Sequence, residues 1–371
     1  MAIPSFVFCA DLQARESAYR SVRGLKGDDL CALAQVVKYC SDNAVPLILG
    51  GDQVDTPTIS DEHVIELRRL LSQVQTVRYI DGNHERGFKR LSLEGGPAAV
   101  ATNLEDSPIQ MPRRGLSVQV TGYNWRPRRQ WMDLPPESIP AGHICCLHGF
   151  CDQVVPALGL PAGDTPSSDI DLSWFDGKFK LVLMGDIHMR WDWTGPKGTR
   201  FIYPGSMWMH RLGEPEEKFF VVVNDDDSVT FVPLRCRPFK QAKVSTVDEV
   251  KAIQQWVDSL PPDTFDQLPY LEPKQPRIHL TITEAAKDIA PHLAILRQKA
   301  IVFEKHECAL DQDLNELQGS TAATVDLATA LTSLVDPQDA IDQEAATLIT
   351  EAVATDCNTA LEMFKKRIAL K

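Results

Sequence analysis

Five apolar runs in the first 190 residues each break off at a small residue and then present oxygen or imidazole donors. FVFCADLQ delivers Asp11 and Gln13, LILGGDQVD delivers Asp52 and Asp55, VRYIDGNHE delivers Asn83, His84 and Glu85, ICCLHG delivers His148, and LVLMGDIH delivers Asp186 and His188. Short continuous apolar runs are the signature of strands covered on both faces. In an open sheet of parallel strands the C-terminal ends collect along one edge, where the loops build the binding crevice. A chain patterned this way brings its donors together. Carboxylate, amide oxygen and neutral imidazole all ligate first-row divalent ions, and a shared aspartate can hold two ions roughly 3.5–4 Å apart. One histidine at a strand end is more often a hydrogen-bonded structural residue. Five such elements in order point to metal chemistry.

The rest of the first 235 residues supports an α/β domain. LSVQVTGY, RFIYPGS, KFFVVVN and SVTFVPL add strands, and VNDDDS between the last two is a hairpin signal. DDLCALAQVVKYCSDN has helical spacing, and SDEHVIELRRLLSQV opens on a serine cap followed by acidic residues. We expect this domain over 1–238. Beyond it, STVDEVKAIQQWVDSL and APHLAILRQKA read as helices, RIHLTIT and IVFEKHEC as strands, and LPPDTFDQLPYLEPKQP as a proline-punctuated connection. That is a small α/β cap over 239–310. A linker over 311–325 and closing helices over 326–371 follow, and those helices either pack on the body or dock a partner.

Charge narrows the function classes once it is located. The net charge of −13 argues against a broad nucleic-acid footprint, yet residues 311–371 hold eleven acidic against four basic side chains, so over half the excess lies in the last sixth of the chain. Contacts to phosphate would have to come from local patches. RPRRQW (Arg126, Arg128, Arg129, flanked by Trp125 and Trp131) and ERGFKR (Arg86, Lys89, Arg90) are the candidates, although such runs are often only solvated loops. Trp191 and Trp193 read first as core packing and second as a stacking surface for a base. No run reaches the ~18 apolar residues of a membrane helix. MAIPSFVFCAD reads as a first strand rather than a leader. Nine cysteines without a CxxC pair suggest buried thiols in a reducing cytoplasm, bacterial or that of a host.

The ordered motifs resemble those of the calcineurin-like metallophosphoesterases, D-x-H, G-D-x-x-D, G-N-H-D/E, H and G-H-x-H. Within that superfamily GGDQVDTPTIS, YPGSMWMHRLGE and the appended cap are similar to the SbcD-type nuclease subunit. Protein serine/threonine phosphatases share GNHE, but Thr56 and Pro57 stand here where they carry Arg-Gly. The resemblance implies a two-sheet αββα sandwich with a small α/β cap and C-terminal helices. It implies one metal position at Asp11, Gln13, Asp52 and His188, and a second at Asp52, Asn83, His148 and Asp186, with His84 catalytic and oriented by Asp11 or Glu85. Asp55 becomes a turn or supporting residue. Two positions depart from the pattern, Gln13 and Asp186, each replacing an imidazole with oxygen. That favours Mn2+ or Mg2+ over zinc. The implied reaction is hydrolysis of DNA phosphodiesters, 3′ to 5′ on duplex ends and endonucleolytic on single strands or hairpins. The implied partners are DNA, an SbcC-type ATPase docked on 326–371, and a second copy of the chain in a heterotetramer. A small-substrate phosphodiesterase, or a weakly active scaffold for DNA ends, remains as an alternative.

Overall fold

The computed structural model describes residues 2–15, 25–56, 59–85, 100–133, 136–154, 169–210, 214–283 and 288–306. The expected linker and closing helices, and Arg86, Lys89 and Arg90, lie outside these residues.

Two six-stranded sheets carry the first 234 residues. In one, β1 (Pro4–Cys9), β2 (Leu47–Gly50), β3 (Val77–Ile80) and β4 (Thr102–Asn103) run parallel. Antiparallel to β1 lies β11 (Lys218–Asn224), with β12 (Val229–Leu234) outside it as the expected hairpin. The other sheet has the order β5 (Ile109–Arg113), β6 (Leu116–Tyr123), β7 (Ile144–His148), β8 (Leu181–Gly185), β10 (Arg200–Tyr203), β9 (Trp191–Thr194). Its four central strands are parallel and both edges antiparallel.

The sheets are stacked by one apolar layer. Phe6, Phe8, Ile48 and Ile80 of the first meet Val120, Ile144, Cys146, Leu183 and Ile202 of the second, and all are fully buried. Each such side chain contributes about 1.5–3 kcal/mol on removal from water, which makes this layer the main force holding sheet to sheet. The outer faces are covered as well, so the strands are apolar on both sides. On the first sheet α1 (Asp28–Asn43) turns Leu30, Leu33, Val36, Val37 and Cys40 inward, and Tyr39 packs edge-on against Phe220. Alongside runs α2 (Asp61–Leu71), capped by Ser60, whose side chain accepts the His63 N–H; such a cap is worth about 1 kcal/mol. Over the second sheet α3 (Arg128–Met132) and neighbouring turns bury Trp131, Phe150, Phe175 and Phe179 against Val182, Phe201 and Tyr203. The layering is helix, sheet, sheet, helix.

By contacts the chain divides into two compact units, one of residues 1–240, 254–278 and 296–301, the other of 241–253, 279–295 and 302 onward. After the sandwich come β13 (Phe239–Val244), α4 (Val247–Asp258), β14 (Arg277–Ile282), α5 (Ala290–Lys299) and β15 (Ile301–His306), with the three strands forming a sheet in the order β13, β14, β15. Within the second unit His279 stacks on Phe303 at 4.4 Å.

Every run read as a strand is one. The strands that escaped reading are β4, β5, β9 and β13, each at the edge of its sheet. Edge strands bury one face and lack the apolar run that marks a covered strand. Trp191 and Trp193 sit in β9, stacked on each other at 5.7 Å and packed on the second apolar cluster, so packing is their role. All seven described cysteines are free, and Cys145 and Cys146 are wholly buried. Among the described residues no helix is long and apolar enough to cross a membrane.

Candidate metal centre

The parallel strands of both sheets end on the same side, and the loops that leave them are tied together by backbone bonds. Asp11 N–H donates to the Gly51 carbonyl at 3.1 Å, and Gln13 N–H donates to the Asp52 carbonyl at 2.8 Å. Asp186 N–H lies 3.0 Å from each carboxylate oxygen of Asp11, which links the two sheets across the site. Sharp turns are needed to point four side chains back over the sheet edge. Asp11, Gln13, Asp52 and Asp186 all have left-handed backbones, with φ of 54°, 42°, 51° and 101°. For a non-glycine residue that conformation costs roughly 1–2 kcal/mol, and such residues cluster at functional sites. Two glycines make the close approach possible. A Cβ on Gly51, itself at φ 94°, would stand 2.2 Å from His148 Nδ1, and one on Gly82 would stand 2.1 Å from Asp52 Oδ1.

At the centre of the donors sits Asp52. On one side Asp11, Asp52 and His148 place one ligand atom each within 4.8 Å of one another, and all three residues are buried. His148 is fixed by its Nδ1, 2.8 Å from the Gly50 carbonyl, so its Nε2 faces Asp52 Oδ1 at 3.4 Å and Asp186 Oδ1 at 3.8 Å. The Asn83 side-chain oxygen approaches the same Nε2 at 3.1 Å. It faces only acceptors, and turning the amide over would let its nitrogen donate to Asp52 at 3.1 and 3.2 Å. With oxygen inward, a cation serves the same groups. The donor set therefore fits a hard divalent ion, with two to three carboxylates, one amide oxygen and one imidazole.

The electrostatics agree. Burial would depress His148, but Asp52, by charge and hydrogen bond, and then Asp11 and Asp186 push it well above the ordinary imidazole value. Burial raises Asp52, yet the charge and hydrogen bond of His148 and the nearby His84 outweigh it and hold the carboxyl down at about 2. Burial, then the charges of Asp11 and Asp52, raise Asp186 to about 6 against the pull of His148. This pocket concentrates negative charge away from water, where a cation is worth most.

On the other side of Asp52 lies His188. Its Nδ1 is 2.6 Å from Glu214 Oε1. Its Nε2 faces the Gln13 amide nitrogen at 3.1 Å, and that nitrogen lies 3.4 Å from Asp52 Oδ2. Glu214 Oε2 in turn accepts from Lys218 Nζ at 2.7 Å, Ser206 Oγ at 3.1 Å and His210 N–H at 3.1 Å. Burial opposes ionisation of Glu214, but the His188 hydrogen bond and the Lys218 charge draw its carboxyl well below the usual range. Sequence reading missed Glu214, Lys218, Ser206 and His210. The one signal available was Lys218, a lysine heading an otherwise apolar strand.

His84 stands apart from the ligands. Its N–H donates to Asp52 Oδ1 at 3.0 Å, its Nδ1 is 2.6 Å from the Asp55 carbonyl, and its side chain is 24% exposed against 0% for His148. Its orienting group is thus Asp55, not Asp11 or Glu85. Glu85 is spent elsewhere: it accepts the backbone N–H groups of Asp52, Val54 and Gly82 at 2.9, 3.0 and 2.7 Å and pins the two loops together. The Asp55 carboxylate pairs with Arg15 at 3.2 Å. In the basic run 126–131, Arg126 is paired with Glu105 and lies over the Tyr123 and Trp131 rings, while Arg128 and Arg129 are exposed. Trp131 is buried at 1% exposure and offers no surface for a base.

No family model and no curated protein matches this chain. Solved structures with which it shares a likeness include a dimetal phosphatase from Danio rerio, at 15% identity and a TM-score of 0.37 over 63% of this chain and 100% of that one. A predicted phosphoesterase from Streptococcus pneumoniae is 14% identical, with a TM-score of 0.32 over 64% of this chain and 92% of that one. A zinc complex of Vps29 from Entamoeba histolytica is 10% identical, with a TM-score of 0.25 over 63% of this chain and 98% of that one. Likenesses this distant assign no activity to the chain.

Proposed function

We propose that this protein is a metal-dependent phosphodiesterase acting on DNA, the nuclease subunit of an SbcCD-like complex. The observation that carries the catalytic part is the buried convergence of Asp11, Asp52 and His148 from three strand ends, with His84 beside Asp52. Bound divalent cations, Mn2+ foremost, would neutralise charge on the phosphoryl oxygens and lower the pKa of attacking water. Asp52, Asn83, His148 and Asp186 would hold one ion, and Gln13 and His188 would serve another with Asp52; Asp11, expected with Gln13 and His188, lies instead within reach of Asp52 and His148 and would serve the first. His84 has its Nδ1 occupied by the Asp55 carbonyl, which leaves Nε2, 3.7 Å from Asp52 Oδ2, to meet a phosphate oxygen or protonate a leaving sugar oxygen.

DNA as substrate is supported by the motif resemblance and by the exposed Arg128 and Arg129. The acidic segment 326–371 is suited to a basic patch on an ATPase partner, and a homodimer completes the assembly. One observation favours a second reading, a phosphodiesterase for small substrates: Arg126, first in the basic run, is already neutralised by Glu105.

Cleavage of end-labelled duplex and hairpin DNA, alongside an aryl phosphodiester, separates the two. Wild type and His84→Ala are compared in Mn2+, Mg2+ and EDTA, with and without a co-expressed ATPase. Manganese-dependent DNA cutting that falls by roughly 10²–10⁴-fold in His84→Ala supports the nuclease. Turnover of the aryl diester alone favours the small-substrate enzyme, and no turnover of either substrate by folded protein removes the catalytic reading. Co-purification of an ATPase with the full chain but not with a chain lacking 320–371 tests the partner.

A further inference from the structure

Arg190, two residues past His188, and Arg129, in α3, are both exposed. Among the described residues neither guanidinium is ion-paired, whereas other cations of the sandwich are spent, Arg15 on Asp55, Arg126 on Glu105 and Arg200 on Asp192. Arg190 is nonetheless held in place. Its guanidinium carbon lies 3.8 Å from the centre of the Phe231 ring and 5.3 Å from that of Phe219, and the two rings meet edge to face at 6.1 Å. Its main chain passes the turn at Gly205, where a Cβ would stand 3.1 Å from the His188 carbonyl oxygen and 3.2 Å from Arg190 N. Phe219 directly follows Lys218, which braces Glu214 behind His188. A guanidinium laid on aromatic rings is fixed by its flat face and keeps its donor edge open. The exposed Glu216 and Glu217 lead into β11 without pairing with it.

Topology sets the two arginines on opposite sides of the metal ligands. The ends of β7 and β8 carry His148 and Asp186, and these strands lie between β6, which leads to α3, and β9, which starts at Trp191 directly after Arg190. Trp191 pairs with Tyr203 at the end of β10, so Arg190 stands on the edge where the ligands gather. Four strand spacings separate β6 from β9, roughly 19 Å at ~4.8 Å each. Stacked nucleotides advance about 3.4 Å, so about five or six of them cover that width. We propose that Arg190 and Arg129 bind backbone phosphates on either side of the scissile one, the substrate strand crossing the sheet edge from β6 to β9. The inference rests on reading the chain as a DNA phosphodiesterase and names the residues through which it senses strand length. An aryl diester reaches the centre but neither arginine. Arginine suits both places, because its fork meets two phosphate oxygens at once.

Cleavage by the full chain in Mn2+ of a ladder of single-stranded oligonucleotides, from dinucleotide to decamer, tests this beside the aryl phosphodiester. For wild type, kcat/KM should climb with length and level off at about six nucleotides. Arg190→Gln and, separately, Arg129→Gln should each lower kcat/KM on the decamer roughly tenfold, through KM, with a far smaller loss on the aryl diester. Binding of the decamer is followed in the His84→Ala background, where cleavage is slow. There each change should reduce the slope of log affinity against log salt by about 0.7, the share of one phosphate on a single strand, and Arg190→Lys should keep the slope. Circular dichroism and melting of each variant establish that it is folded. A slope unchanged in Arg190→Gln, with DNA still cut by wild type, overturns the inference and leaves the DNA reading standing. A slope unchanged only in Arg129→Gln overturns the path across the edge. Equal losses on decamer and aryl diester overturn the inference as well, since Arg190 then acts through His188 and not on a flanking phosphate. Wild type that turns over the aryl diester alone overturns it together with the DNA reading it rests on.

Discussion

The imidazoles of His148 and His188 flank the same carboxylate but are held by different parts of the chain. His148 is braced by a backbone carbonyl, that of Gly50 at the end of β2, and is wholly buried where the two sheets meet. His188 is braced by a side chain, Glu214, which is itself held by Lys218, Ser206 and the His210 N–H from a segment that follows β10. The first brace comes with the sheet. Any sequence that forms β2 and β7 in this register provides it. The second is an addition from four residues, three in the segment after β10 and Lys218 at the first position of β11, so it is there that affinity, orientation and ion preference are adjustable. Metal-bound histidines depend on such outer partners nearly as much as on the ligand itself.

Asp52, common to both sides, gives the largest effect. Asp52→Asn should abolish cation uptake at both positions and lower turnover by roughly 10²–10³-fold or more, the size of one lost electrostatic stabiliser in a closed site. Calorimetry and steady-state rates check it together, and retention of either ion would separate the two corners that we treat as sharing this carboxylate. Next in size is Lys218→Met. Lys218 and Glu214 are buried at 1% and 7% side-chain exposure, so removing the amine leaves a buried carboxylate without its counter-charge. The expected cost is about 3–5 kcal/mol, read as a fall in melting temperature. Pairing the change with Glu214→Gln removes the stranded charge and keeps a group able to accept from His188. The double variant should recover most of the stability while cation affinity beside His188 stays roughly 10–100-fold weaker. If melting and affinity recover together, the His188 corner needs no carboxylate behind it.

The same contrast explains what could be read from the sequence. Strand ends and ligands on the His148 side were legible because they obey local rules: an apolar run, a stop, a donor. Helix α1 was legible over its full length from spacing alone, and α2 from its serine cap. Glu214 and Lys218 obey no such rule, since their meaning arises only when the segment after β10 folds back over His188, a long-range contact with no periodicity. Glu85 was visible but misassigned. In GNHE it stands beside a catalytic candidate, yet its oxygens are consumed by three backbone N–H groups, a role that only the closed loops reveal. Burial and the neighbouring Asp52 charge push its carboxyl up to about 8 despite the Val54 and Gly82 N–H groups. Trp131 and Trp193 carry the converse lesson. Aromatic residues near a basic run suggest base stacking on paper, but Trp131 is buried in the apolar cluster over the second sheet, and Trp193 packs against that cluster from edge strand β9.

Gly51→Ala sharpens the comparison from the backbone side. Gly51 lies between the carbonyl that braces His148 and the aspartate that both corners share, at φ 94°, and its missing Cβ would stand 2.2 Å from His148 Nδ1. The substituted methyl has two ways out. It can displace the imidazole, which breaks the 2.8 Å bond to Gly50 and moves Nε2 off Asp52, or it can shift the turn, which moves Asp52 itself. Either route adds overpacking to the strain of a left-handed alanine, about 3 kcal/mol in total. Because the brace is main chain, no second substitution on a neighbouring side chain can restore it, unlike the charge-neutral repair available at Glu214 and Lys218. The expected outcome is a lowered melting temperature with loss of Mn2+ uptake beside His148, while uptake beside His188 changes less. Equal loss at both positions would show that the turn at 51 and 52 positions the whole centre, and that the division into a corner set by the sheet and a corner set by side chains is too sharp.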